Sequence, residues 1–259
     1  INAVRVLSKE NKFDIDKIIA AGYDTYLAAF EDLVPAMVKA FRSNVKQDDT
    51  LYARLHEAVN TLGSWNLRCD EKSVATTLAI EWGQRLLGSI ARSPGTDQVE
   101  RTKAFAASAS PNDLLLPLAA TLRDLESRFG RWMVPWGEIN RFQRISSDIE
   151  QKYDDSQPSL PVSYVSSLWG MLPSYTSRSF PQTKKRYGVN GNSFICAVEF
   201  GKKIKAKSLL AGGQSGDPAS KHFNDQALMY TKGQFKEVLF YKEDVQKHAE
   251  KTYHPGEQN

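Results

Sequence analysis

Apolar residues recur at three- and four-residue spacing through the first part of the chain, and that period is lost after about residue 145. From Asp14 onward, Ile15, Ile18, Ile19, Tyr23, Tyr26, Leu27, Phe30, Leu33 and Val34 form one helical stripe, with Asp14 placed as the cap. Pro35 is expected to break or kink it, because proline has no amide hydrogen to give to a helix interior. Val74, Leu78 and Trp82 repeat at four-residue spacing and predict a second helix. A third is expected from about Asn112, with Leu115, Leu118, Ala119, Leu122, Leu125 and Phe129 on one face and Gly130 as the stop signal. The stretch 92–97, Arg-Ser-Pro-Gly-Thr-Asp, is a loop.

Beyond residue 145 the pattern is different. Residues 154–158 are turn-rich, and Pro161, Gly170, Pro173 and Pro181 keep residues 156–192 from forming long helices. Residues 193–200 are apolar and strand-like, and 203–210 alternate, so the two predict an antiparallel hairpin joined at Gly201-Lys202. Residues 235–241 predict a third strand and 242–252 a short charged helix. The fold class that follows is α+β, a mainly helical lobe over 1–150 and a β-rich lobe over 151–259.

Composition adds limits. With 259 residues, 41% hydrophobic and 25% charged, the chain can bury a sizeable core. No apolar run approaches the roughly 20 residues that span a bilayer, so no membrane partner is expected. Residues 1–150 carry 19 Lys/Arg against 20 Asp/Glu, and residues 151–259 carry 15 against 10, so the net +4 lies in the second part. Lysines 203, 205 and 207 alternate with apolar residues, as on the wet face of a strand, and no nucleic-acid motif accompanies them. Nucleic acid is not expected as a partner. Cys69 and Cys196 are too far apart for a CxxC site, and Cys196 is expected to be a small core residue.

The chemistry-bearing residues are few. Gly212-Gly213-Gln214-Ser215-Gly216-Asp217 lacks the final glycine of a nucleophile elbow and the Lys-Ser/Thr of a phosphate loop. It reads as a tight backbone passage, its glycines allowing positive φ or close approach. Ser215 as a self-contained nucleophile is the rival reading. His222 and Asp225 stand three residues apart without an evident third metal ligand, so no metal and no cofactor is expected.

Residues 211–248 carry a resemblance. Gly213, Gln214, Ser215 and Gly216, then His222-Phe223-Asn224-Asp225-Gln226, Met229-Tyr230 and a short helix resemble the C-terminal end of penicillin acylases and acyl-homoserine-lactone acylases. Gly191-Asn192-Ser193-Phe194, Val198-Glu199-Phe200, Trp136-Gly137-Glu138 and Ser73-Val74-Ala75 before Glu81-Trp82 are similar too, and residues 1–7 look like the helix after that family's active-site asparagine. The resemblance implies part of an N-terminal-nucleophile hydrolase, an αββα sandwich that cleaves a linear amide such as an acyl-homoserine lactone or a penicillin side chain. It implies a precursor that cleaves itself and a serine that opens the new β chain, activated by its own amino group.

That serine, the histidine or glutamine near it and the oxyanion asparagine belong upstream of Ile1 in the family. The expected partners are therefore the rest of the acylase, meaning its α chain and the N-terminal part of its β chain, together with the acyl amide substrate. By resemblance Glu199 either supports an upstream histidine or faces outward beside Lys203 or Lys205. The signature residues Gly213, Gln214, Ser215, Gly216, His222, Asp225 and Gln226 are expected to be structural. The expected compartment, again by resemblance, is the periplasm. A catalytically inactive scaffold or binding protein of the same fold is the alternative.

Overall fold

The computed structural model describes residues 2–254 and 256. Eight helices come first: α1 (Asn2–Leu7), α2 (Ile15–Gly22), α3 (Phe30–Asn44), α4 (Thr50–Gly63), α5 (Val74–Arg92), α6 (Gln98–Ser108), α7 (Pro111–Phe129) and α8 (Trp136–Ile139). Strands follow as β1 (Asn140–Phe142), β2 (Leu160–Pro161), β3 (Tyr175–Ser179), β4 (Arg186–Gly191), β5 (Phe194–Glu199) and β6 (Lys205–Leu210). The chain ends with α9 (Ala227–Lys232), β7 (Lys236–Glu237) and α10 (Lys242–Lys247). The class is α+β.

Local chemistry sets most helix ends. Asp14 accepts the Lys17 amide at the start of α2, Ser73 the Thr76 amide at the start of α5, and Asp97 the Glu100 amide at the start of α6. These side chains satisfy donors that a first turn leaves open. Helix α7 opens on a Ser110/Asp113 capping box and closes on Gly130, whose φ of 74° places it in the left-handed region.

The long stripe expected from Asp14 to Val34 is two helices, not one. Between them the chain is extended and pairs with residues 67–69: Leu27 N–H donates to Leu67 O at 2.8 Å, and Cys69 N–H to Thr25 O at 3.0 Å. Those bonds replace the helical ones, so α2 ends at Gly22. Pro35 does not end α3 either. It is the sixth helical residue and the helix runs on to Asn44. A proline so near the N-terminus removes few bonds.

The core lies where α3, α5 and α7 meet. Phe30, Leu33, Met37, Leu78, Trp82, Leu86, Leu118 and Leu125 are fully or almost fully buried there. The Trp82 indole N–H donates to Leu114 O at 3.0 Å, tying α5 to α7. Trp169 stacks on Phe30, its ring 5.2 Å away, and lies against Gly83, where a β-carbon would come within 2.7 Å of the indole. The middle of α5 is glycine because a tryptophan occupies the space.

A buried carboxylate joins this helical core to the first sheet. Glu81 on α5 is 8% exposed and accepts Arg128 of α7 at 2.6 Å and Arg186 of β4 at 3.1 Å. Arg186 also donates to Ser177 O of β3, at 2.6 Å, and Arg128 pairs with Asp124 at 2.9 Å.

That sheet has the order β2-β1-β4-β3, with β1 parallel to β4 and the other pairs antiparallel. It draws on both sides of residue 150. Its strands leave little pattern in the sequence, since β1 and β2 span three and two residues and β4 contains two glycines. Asn140 fastens its start, the side-chain amide donating to Val162 O and Tyr164 O at 2.8 and 2.9 Å.

The second sheet has the order β5-β6-β7, all antiparallel. Glu199 pairs with Lys205, so residues 200–204 form the connection rather than Gly201-Lys202 alone. Only Lys236–Glu237 of the third expected strand pairs, and the charged helix stops at Lys247 instead of Thr252. Cys196 is exposed, not core, because its strand turns that face outward; Cys69 is buried, and both thiols are free. Burial pushes the Cys69 thiol up to about 12.

Replacing Glu81 with alanine is expected to cost about 3–5 kcal/mol, because two arginines then lose their shared partner inside the molecule. Urea denaturation measures this. A loss no larger than the ~0.5 kcal/mol of an ordinary surface change would mean that the pair holds nothing together.

Candidate functional site

The glycine-rich segment folds as a closed loop. Gln226 N–H donates to Gly212 O at 2.8 Å and closes its ends, and Ser215 N–H donates to His222 O at 3.1 Å across its middle. Gly212 has φ of 81°, and Gly213 is packed so tightly that a β-carbon would lie 2.1 Å from His222 O. One glycine provides the left-handed turn and its neighbour the close approach. Gly216 has open space around it.

The centre of the loop is Arg144, two residues after β1. Its guanidinium sits over the Phe223 ring, 4.0 Å from the centroid, and donates to Phe223 O and, at 2.9 Å, to Ser215 O. The Asn224 side chain returns a bond to Arg144 O at 2.9 Å. Arginine suits this post because its planar fork serves two carbonyls while stacking on a ring. No local pattern marks it, since Phe223 and Ser215 lie 79 and 71 positions away.

His222 Nδ1 meets Asp225 Oδ2 at 2.8 Å, with both side chains largely accessible. The Ser215 hydroxyl accepts the Asp217 amide at 3.1 Å. No hydrogen bond joins it to a histidine among the described residues. Gln226 is buried at the closing bond, while Gln214 and Gly216 lie on the loop's span. No group of three or more metal-ligating side chains occurs among the described residues.

Glu199 stands apart from the loop. It ends β5, and its Oε2 accepts the Ile15 amide at 3.1 Å, beside the Asp14 cap of α2. Its Oε1 lies 3.4 Å from Lys205 Nζ. The carboxylate therefore rests at a helix N-terminus, where negative charge is favoured.

A second polar cluster surrounds Asp24, in the extended segment between α2 and α3. Asp24 accepts Asn2 Nδ2 at 3.2 Å, the Tyr26 amide at 3.1 Å and Arg68 at 2.9 Å. The Tyr26 hydroxyl donates to Glu31 at 2.6 Å, and Arg5 stands 4.6 Å over the Tyr26 ring while pairing with Glu31. Partial burial pushes Asp24 upward, but the bonds from Asn2, Arg68 and Tyr26 outweigh it and hold the carboxyl below its ordinary value. Nearby, a cleft of about 660 Å³ runs between α1, the start of α3, α6 and residues 166–172. The cluster escaped sequence reading because its members are spread from residue 2 to residue 68 with no common motif.

An α+β fold of this kind is found in the acylases. The structure matches a thermostable penicillin G acylase from Alcaligenes faecalis with a TM-score of 0.51 and 14% identity, over 100% of this chain and 52% of that one. At that identity the likeness is one of fold, and the chain spans about half the length of that relative. The sequence itself matches the penicillin amidase family over residues 2–247. The chain belongs to the penicillin amidase family, whose members are hydrolases of amide bonds.

Two results are expected here. Gly213→Ala should loosen the loop and speed proteolytic cleavage between residues 214 and 222, whereas Gly216→Ala should leave it intact. Equal cleavage of both variants would remove the packing argument. Asp24→Asn should lower stability at neutral pH. Because the folded pKa lies below the ordinary 3.8, the ionised group stabilises above that value, and its contribution fades as pH falls through the folded pKa. Urea midpoints for the two proteins should therefore converge in acid, and a gap that stays constant with pH would contradict this.

Proposed function

We propose that this chain is the C-terminal segment of the β chain of a penicillin-amidase-type acylase, which hydrolyses a linear carbon–nitrogen bond with a nucleophile outside these 259 residues. The observation that carries this reading is the match itself: the family covers residues 2–247, yet the chain spans only 52% of the acylase it resembles in fold. The described residues support it from the other side. Ser215 has no side-chain base on its hydroxyl, and His222 turns its ring nitrogen toward Asp225.

In this reading the chemistry is that of an N-terminal-nucleophile hydrolase. A precursor cleaves itself, a hydroxyl is activated by its own α-amino group, and donors held upstream stabilise the oxyanion. The partners are the α chain and the N-terminal part of the β chain, and the compartment is the periplasm. Among the described residues no helix is long and apolar enough to cross a membrane. The substrate is a small acyl amide, and the Gly-Gln-Ser-Gly-Asp-Pro form of the loop favours acyl-homoserine lactones and related fatty-acyl amides over penicillin side chains.

Glu199 is proposed as a positioning residue for an upstream histidine, and the Arg144-centred loop as structural support. A carboxylate in the second sheet, held by one backbone amide and one exposed lysine, keeps capacity for a further donor. An inactive scaffold of the same fold is the second reading, and the lack of a nucleophile–base pair among the described residues is compatible with both.

The test uses the full-length protein that carries this chain. Release of homoserine lactone from an acyl-homoserine lactone is expected, together with a new serine N-terminus detected by mass spectrometry. Full-length protein that neither cleaves itself nor hydrolyses any acyl amide would leave the scaffold reading. Glu199→Gln should lower kcat and shift the acid limb of its pH profile. Unchanged maturation and turnover would remove the role.

A further inference from the structure

Asn190 and Gly191 end strand β4, and theirs is the one Asn-Gly step in the sequence. The backbone sets Gly191 opposite Tyr175 of β3. One residue further on, Asn192 N–H donates to Ser174 O at 3.1 Å, while Tyr175 N–H turns the other way and donates to Val165 O at 2.9 Å. Bonds alternate along an antiparallel ladder, so Gly191 stands at a position where neither strand bonds the other. Its N–H therefore points away from β3, toward the side on which β4 meets β1. That pairing reaches only as far as Tyr187, opposite Arg141. Gly191 N–H is thus without a hydrogen-bond partner among the described residues. The Asn190 side chain is exposed and also makes no hydrogen bond among them. Packing fixes the glycine, because a β-carbon at 191 would collide with Ser174 O.

An amide nitrogen that follows an asparagine can attack that residue's own side-chain carbonyl carbon. The reaction is intramolecular, so its rate depends on how freely the two atoms meet. Asn192, two positions on, is held: its Oδ1 accepts the Ser174 amide at 2.8 Å. Asn2, Asn66, Asn140 and Asn224 also have their side-chain amides in hydrogen bonds. Asn11, Asn60 and Asn112 are exposed, but Lys12, Thr61 and Asp113 follow them and bring a β-carbon beside the attacking nitrogen. Asn190 alone combines a loose side chain with a following glycine whose N–H is unbonded.

We propose that Asn190 is a site of spontaneous modification, deamidating through a cyclic imide formed with Gly191. Gly191 N loses its proton and bonds Asn190 Cγ; the Cγ–Nδ2 bond breaks and the side-chain nitrogen leaves as ammonia. Water then opens the ring. Cleavage of the new Cγ–N bond gives aspartate in the ordinary chain. Cleavage at the main-chain carbonyl carbon of residue 190 gives isoaspartate, in which the chain runs through the former side chain. The only reactants are the chain and water, and nothing is oxidised or reduced. The consequence falls on the join between the two sheets, since residues 192 and 193 are all that separate β4 from β5. An isoaspartate puts an extra main-chain atom next to the bond from Asn192 N–H to Ser174 O, and either product sets a carboxylate where none stood. The proposal rests on the geometry of this chain and holds with either reading of its function.

The test is incubation of the full-length protein at neutral and mildly alkaline pH, followed by peptide mapping and enzymatic methylation of isoaspartate. Asn190 should deamidate at least about 10-fold faster than Asn192 or Asn11, which corresponds to a barrier lower by about 1.36 kcal/mol. The rate should rise with pH, because Gly191 N–H must lose its proton. It should lie within about 10-fold of the rate for the same protein in urea, since opening the end of a strand costs little. Asn190→Ser should remove the modified peptide. Asn190 left intact, a rate no faster than at Asn192 and Asn11, or protection by the fold beyond that ~10-fold limit would each overturn the proposal. Acylase activity is measured on a separate portion: an inactive protein that deamidates at Asn190 keeps this site and loses the enzyme, and an active protein with Asn190 intact does the reverse.

Discussion

The structure depends on one carboxylate kept away from water. Glu81 lies inside a run of buried residues on α5, and a lone ionised group there would be costly. Arg128 from α7 and Arg186 from β4 each supply a partner, and Arg186 passes the connection on to the Ser177 carbonyl of β3. The helical core and the first sheet are thereby fixed by a requirement that only one arrangement meets, since apolar contacts alone would tolerate some sliding. Gly83 strengthens the constraint from the same helix, because it accepts Trp169 at one height along α5 and no other.

What could be seen in the sequence was what is decided locally. The Asp14 cap and the Gly130 stop rest on bonds within a turn, so their residue types show them. The tight packing at Gly213 was visible for a similar reason, as glycines in succession have few other uses. The break between α2 and α3 was not visible, because the apolar period runs on through Tyr26 and Leu27 while their backbone pairs with a segment some 40 positions away. Strands β1 to β4 were missed for the same cause: Asn140–Phe142 has no pattern of its own and is a strand only because Arg186 and Tyr187 lie beside it. Alternation tells which residues share a face but not which face is covered, and Cys196 lies on an exposed one.

The signature loop is fastened by hydrogen bonds among its own residues and to Arg144. Glycines, a serine, a histidine and an aspartate within a few residues invite an active-site reading. Their bonds instead close the loop on itself and on Arg144, which reaches it from the end of the first sheet. The loop thus connects the two sheets, one through Arg144 and the other through β6, which leads directly into Gly212. Within the described residues the loop's hydrogen bonds hold its shape.

The parallel pairing of β1 with β4 has a consequence for the order in which contacts can close. Residue 140 meets residue 186 only after the intervening chain has returned, and the entropy of closing such a loop comes before any reward from the pairing. Arg128 follows Glu81 by 47 positions within the helical part, whereas Arg186 is 105 positions away. The contact with Arg128 therefore closes the shorter loop and the contact with Arg186 the longer one. β4 thus brings a second arginine, from beyond the helices, to a carboxylate that α7 already partners.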